Sequence, residues 1–176
     1  MRILYKFLIL IFILTLSSCG YQVLRDEGET FSFKRLGIGN FTLVNSKVHV
    51  YPFKSTVSEP MVEVIFTNKL IESLMRSSAI LVEPESADYI ITGTVKEYSL
   101  STMSMSKTGD IGVYRLRMTV SIVVRDREGK VLFSRDFSDY EDYQVEPTIE
   151  STKLREKMAV DLLSDRIAQL VVVMLR

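Results

Sequence analysis

Residues 114–125 alternate without interruption. Tyr114, Leu116, Met118, Val120, Ile122 and Val124 fall on one side, and Arg115, Arg117, Thr119, Ser121, Val123 and Arg125 on the other. A period of two sustained over that length specifies a β-strand with one dry face and one wet face. A strand of this kind needs neighbouring strands along its edges and an apolar layer over its dry side. The remaining chain supplies both.

The neighbours are in sequence order. Arg127-Glu128-Gly129-Lys130 reads as a tight hairpin into a strand over residues 131–140, and residues 89–106 form the long strand before it, so the three make a meander. Upstream, residues 47–53 carry apolar side chains on both faces (Val48, Val50, Tyr51, Phe53), as in a covered sheet, and Pro52 marks the end of that strand. Ser58 is a candidate N-cap, with Glu59 and Pro60 in the first turn of a helix whose apolar positions Val62, Ile65, Phe66, Leu70 and Leu74 recur at helical spacing. That helix runs to Arg76 and stops at Ser77-Ser78. A short apolar piece, residues 80–82, precedes turn chemistry at residues 83–86. From Thr148 onward Leu154, Met158, Leu162, Leu163, Ile167, Leu170, Val171 and Met174 form a second helical stripe. The expected fold is α+β: a two-layer sandwich with two helices on one face of a four-stranded mixed sheet, in the order β-α-β-β-β-α. The other face of the sheet stays free for a partner.

The N-terminus carries a different signal. Arg2 and Lys6 precede an apolar run over residues 7–16, and Leu16-Ser17-Ser18-Cys19-Gly20 closes it with the only cysteine of the chain. The run is of signal-peptide rather than membrane-spanning length, and the residues before Cys19 form a lipobox. The reading is a lipoprotein signal peptide over residues 1–18, a covalent lipid on Cys19 and a membrane anchor. An uncleaved helical anchor and an ordinary secretory signal leaving a free thiol are the alternatives. Gly20 after the cysteine, rather than Asp, favours the outer membrane in Gram-negative sorting. Residues 19–46 read as a tether that partly docks on the domain, since Phe31, Phe33, Leu36 and Phe41 are scattered through them and the composition is not that of a flexible linker. Gly37-Ile38-Gly39 within it lacks the strand and helix of a phosphate loop and reads as a turn. The domain itself is residues 47–176.

Charge and composition then exclude several functions. Without its first 18 residues the chain has 158, enough for a real core, with 20 basic and 22 acidic side chains. That balance leaves no nucleic-acid footprint. One histidine and one cysteine cannot build a zinc site of the usual kind, so no metal or other cofactor is expected beyond the lipid on Cys19. His49, between Val48 and Val50, reads as a packed strand residue. Asp139, Glu141 and Asp142 are a nominal carboxylate cluster, but no sugar-binding tryptophan accompanies them and a solvated edge is the simpler reading. No enzyme is expected.

Several further segments, in this order and spacing, resemble the LptE family of outer-membrane lipopolysaccharide (LPS) assembly lipoproteins. They are Cys19-Gly20-Tyr21, Val50-Tyr51-Pro52-Phe53, Glu59-Pro60, Gly93-Thr94-Val95, Tyr114-Arg115-Leu116, residues 126–132, Glu141-Asp142-Tyr143 and Arg155-Glu156. The resemblance implies a non-catalytic plug inside the lumen of the LptD β-barrel, supporting its assembly and contacting LPS. Within that picture the uncharged stretch 98–106, with Leu100, Met103 and Met105, is a candidate partner contact, because an uncharged strand end left in water invites association. Lys107 aligns with a basic residue that the family places near this hairpin tip, and Arg115 and Arg117 lie close by on the wet face. These three are the candidate LPS contacts, since Lys and Arg complement phosphate. Read alone, the same residues equally describe a soft hairpin tip and a solvated strand face. Pro147 and Thr148 stand where part of the family has a basic residue before the last helix. Two alternatives remain. A lipoprotein activator of periplasmic peptidoglycan synthases would need a longer, low-complexity tether, and a periplasmic hydrolase lacks a recognisable nucleophile and base.

Overall fold

The computed structural model describes residues 42–105 and 111–176; the leader, Cys19, the tether to residue 41 with Gly37-Ile38-Gly39, and Lys107 lie outside the described residues. The elements are β1 (Lys47–Val50), β2 (Lys54–Ser55), α1 (Val62–Arg76), β3 (Ile80–Leu81), a 3-10 turn (Pro84–Ser86), β4 (Tyr89–Met105), β5 (Ile111–Asp126), β6 (Val131–Gln144) and α2 (Ile149–Met174). The sheet order is β3-β1-β4-β5-β6, with β2 paired to β4 beyond the end of β1. β1 runs parallel to β3 and β4, β2 runs parallel to β4, and β4, β5 and β6 form the antiparallel meander.

The α+β architecture is the expected one, and the four expected strands are β1, β4, β5 and β6. Two strands of two residues each, β2 and β3, bring the sheet to six. β6 also runs past Tyr140 to Gln144, because Glu141, Asp142 and Tyr143 stay in register with Leu116, Arg115 and Tyr114. The alternation of β5 sorts as read: Leu116, Met118, Val120, Ile122 and Val124 are buried. They form one core with Phe66, Leu70 and Leu74 of α1 and Leu163, Ile167 and Val171 of α2.

β1 and β2 lie on the same edge of β4 and are one strand with a bulge in it. Four residue steps separate Val50 from Lys54, but only three separate their partners Ile91 and Thr94. Pro52 sits in the extra stretch, where its missing N–H costs no ladder bond. The excursion is fixed from both sides: Phe53 donates its N–H to Thr67 Oγ1 (3.1 Å), and its ring packs against Phe66 with centroids 5.0 Å apart. Beneath that ring β4 carries Gly93. A Cβ there would stand 2.1 Å from Phe53 Cε1 and 2.4 Å from the Ser121 carbonyl oxygen.

Helix α1 does not start on Ser58. Its N-cap is Met61, in the left-handed region at φ 70°, with no side-chain cap, and the helix begins at Val62. Pro60 disfavours helical geometry at Glu59, so Ser58–Pro60 belong to the preceding turn. Helix α2 does start as read: Thr148 Oγ1 accepts from the Ser151 N–H at 3.2 Å. Its apolar stripe is a partial correction. Leu163, Ile167 and Val171 are buried, but Leu154, Met158, Leu162 and Leu170 are exposed, and Ala159, Val160, Ala168 and Val172 take the buried places. Small and β-branched side chains let the helix lie close on the sheet, and they leave the i+4 row of long residues on its outer flank.

Candidate functional site

The face of the sheet away from the helices carries the candidate cations. β5 presents Arg115 and Arg117 two residues apart, and β6 presents Asp142 and Tyr140 directly opposite them. Opposed residues on an antiparallel pair project to the same side, so two charged and aromatic pairs form one patch. Arg115 grips both carboxylate oxygens of Asp142, through Nε at 2.7 Å and Nη2 at 2.8 Å. Its guanidinium also lies 3.9 Å over the Tyr140 ring, while that of Arg117 lies at 6.0 Å from the same ring. The hydrogen bond from Arg115 holds the Asp142 carboxyl below its ordinary pKa, and the reciprocal bond raises that of Arg115. Arg115 is thus neutralised by a neighbour. Arg117, exposed, makes no ion pair among the described residues and remains available to an anion.

The apolar candidates are elsewhere. Leu100 pairs with the buried Leu116 and therefore points to the helix side, opposite to Arg115 and Arg117. It is 45% exposed there. Met103, 46% exposed, falls in an irregularity of register between Thr102 and Ser104. The Met105 backbone pairs with Ile111, and Lys107 is outside the described residues. Leu100 does not converge with Arg115 and Arg117; the sheet separates them.

The carboxylate cluster is held structurally. Arg166, reaching down from α2, bonds Asp139 through Nε (2.9 Å) and Glu141 through Nη1 (2.5 Å), and its Nη2 donates to the Tyr140 carbonyl. With Asp142 bound by Arg115, each of the three acids has a guanidinium partner. His49 is a packed strand residue, its Nδ1 2.9 Å from the Val82 carbonyl oxygen and its ring edge-on to Tyr51.

Sequence reasoning missed the role of Arg166 and a cleft of about 620 Å³ where the start of α1 meets the first half of α2. Tyr98 of β4 forms part of that cleft and donates its hydroxyl to Glu156 Oε1 at 2.7 Å. Burial, then the bond to Glu156, pushes the Tyr98 phenol well above its ordinary pKa; burial likewise pushes Tyr143 up to about 12. For both groups the folded pKa lies above the unfolded one, so their contribution is complete below about pH 10 and declines as pH rises above it, that of Tyr143 being lost by about pH 12. Chemical denaturation is therefore expected to show stability falling between pH 10 and 12, with Tyr143→Phe giving a shallower fall.

These features define a small two-layer α+β domain with a basic and aromatic patch on the open side of its sheet, a fold also seen in bacterial lipoproteins. It is similar to the minor lipoprotein of Acinetobacter baumannii (19% identity, TM-score 0.53, 76% of this chain and 92% of that one). It is also similar to rare lipoprotein B of Shewanella oneidensis (19%, 0.50, 73% and 92%) and to uncharacterized lipoprotein B of Nitrosomonas europaea (15%, 0.52, 72% and 79%). At such identities the likeness is one of fold. No curated protein matches the sequence. The family is nonetheless established: the LptE lipopolysaccharide-assembly model matches residues 46–175, and the chain belongs to that family.

Proposed function

We propose that this chain is a non-catalytic outer-membrane lipoprotein, held by a lipid on Cys19, that plugs an LptD-type β-barrel and contacts LPS as it passes. The observation that carries the LPS contact is the exposed Arg117 beside Tyr140, on the open face of a domain belonging to an LPS-assembly family. A guanidinium with no carboxylate partner among the described residues is suited to a phosphate, and the aromatic ring beside it can lie against a sugar or chain. Support for the plug is the far end of β4, where Leu100 and Met103 are half-exposed on a strand end that a lumen would cover. Among the described residues no helix is long and apolar enough to cross a membrane; the proposed attachment rests on the lipobox Leu16-Ser17-Ser18-Cys19-Gly20.

Two measurements test this reading. Affinity purification from solubilised outer membranes is expected to recover a large β-barrel; recovery of a penicillin-binding protein instead would move the chain to the synthase-activator class. LPS binding in vitro is expected to fall about tenfold, roughly 1.4 kcal/mol, in Arg117→Glu. It is expected to fall further with Lys107→Glu, with barrel recovery unchanged. Arg115→Glu is a poorer probe, because it also sets a carboxylate against Asp142.

A further inference from the structure

The cleft of about 620 Å³ lies on the helix side of the sheet, away from the Arg115–Arg117 patch. Its floor is apolar, made by Met61, Val62, Ile65 and Val160 with the ring of Tyr98. Lys153 and Lys157, one turn apart on α2, stand on one wall, and Glu59 stands on the other. The volume is that of a small-molecule site, and apolar walls with a few charged groups are what such sites have.

The charged groups point to the occupant. Like charges at i and i+4 repel on a helix, yet neither Lys153 nor Lys157 makes an ion pair with any described residue. Glu156, between them in sequence, also lines the cleft, but its Oε1 accepts from the Tyr98 hydroxyl at 2.7 Å and it pairs with neither lysine. A phosphate between the two lysines would remove their repulsion. Glu59, across the cleft, makes no hydrogen bond or ion pair with a described residue and suits a cation. With Glu156 engaged by Tyr98, a ligand matching the two lysines and Glu59 is a zwitterion with an apolar tail. Met61 adds adaptability: its side chain is 59% exposed, and an unbranched thioether conforms to irregular apolar surfaces.

We propose that this cleft binds the acyl chain of a phospholipid-class amphiphile, with the headgroup phosphate on Lys153 and Lys157 and its amine toward Glu59. The site is separate from the proposed LPS contact, and it stands whether or not the chain plugs a barrel.

The test is native mass spectrometry of the full-length protein in an uncharged maltoside detergent, titrated with lysophosphatidylethanolamine. One lipid is expected to be retained per chain. Ile65→Trp, which fills the floor, is expected to reduce retention at least tenfold. Met61→Asp, at a largely exposed position, is expected to act in the same direction and serves if Ile65→Trp fails to fold. Lys153→Glu with Lys157→Glu should weaken this lipid while leaving a monoacylglycerol of the same chain length unaffected. Glu59→Gln should abolish the preference over lysophosphatidic acid. No retention by the unaltered protein, or retention indifferent to both Met61→Asp and the lysine exchanges, would overturn the assignment. Arg117→Glu should leave retention unchanged; a loss there would place the lipid on the open face instead.

Discussion

Gly93→Ala is expected to destabilise the domain by about 3 kcal/mol, the upper part of the range for an overpacked core, and to lower the yield of folded protein accordingly. A single methyl group has this effect because two of its neighbours are already too close. Phe53 Cε1 would stand at 2.1 Å and the Ser121 carbonyl oxygen at 2.4 Å from the new carbon, and the second of these is backbone of a central strand. The ring cannot withdraw freely either. Phe53 is 4% exposed, Phe66 lies against it, and its own N–H is tied to Thr67 on α1. Combining Gly93→Ala with Phe53→Leu relieves the side-chain contact but not the carbonyl one, so partial recovery of the denaturation midpoint is the expected result. Full recovery would mean that β4 and β5 move apart easily. No recovery would mean that the carbonyl contact decides alone.

That contact also marks where the sequence stops being legible. The period-two run of residues 114–125, the hairpin at residues 127–130 and the apolar spacing of residues 62–74 each follow from local periodicity, and all three elements form where they are read. Gly93 carries no such mark: its requirement comes from a ring forty residues earlier in the chain. Strands β2 and β3 are two residues long, too short for a period, and exist because β4 and β1 offer them an edge. On α2 long apolar residues stand on the flank of the helix, and spacing alone does not say which of two adjacent rows meets the sheet. For the site, the Arg-x-Arg of β5 was visible as a wet face. That Asp142 would occupy Arg115 and leave Arg117 open depends on register with β6, which a single strand cannot reveal.

Arg166→Met is the other large expected effect, at about 1–2 kcal/mol of stability, above the usual value of a surface ion pair. The reason is the number of groups one guanidinium serves. It meets the carboxylates of Asp139 and Glu141 and the carbonyl of Tyr140, all on β6, one of the two edge strands of the described sheet. The three side chains are 44%, 28% and 24% exposed, so solvent screens part of the attraction and the larger cost belonging to buried pairs does not apply. What the substitution leaves behind matters more than what it removes: two carboxylates two residues apart on one strand, without their cation. Restoring neutrality should therefore restore stability. Asp139→Asn and Glu141→Gln in the Arg166→Met background are expected to recover at least half of the loss, as read from denaturation midpoints in a mutant cycle. A loss that persists in the triple variant would trace instead to the Tyr140 carbonyl and to the packing of the arginine stem on the edge. In that case the exposed edge should show itself as concentration-dependent association in sedimentation, because a strand edge stripped of its cover is a template for a second strand. The two outcomes separate a charge clamp from an edge guard, and the geometry, with two of three contacts made to carboxylates, favours the clamp.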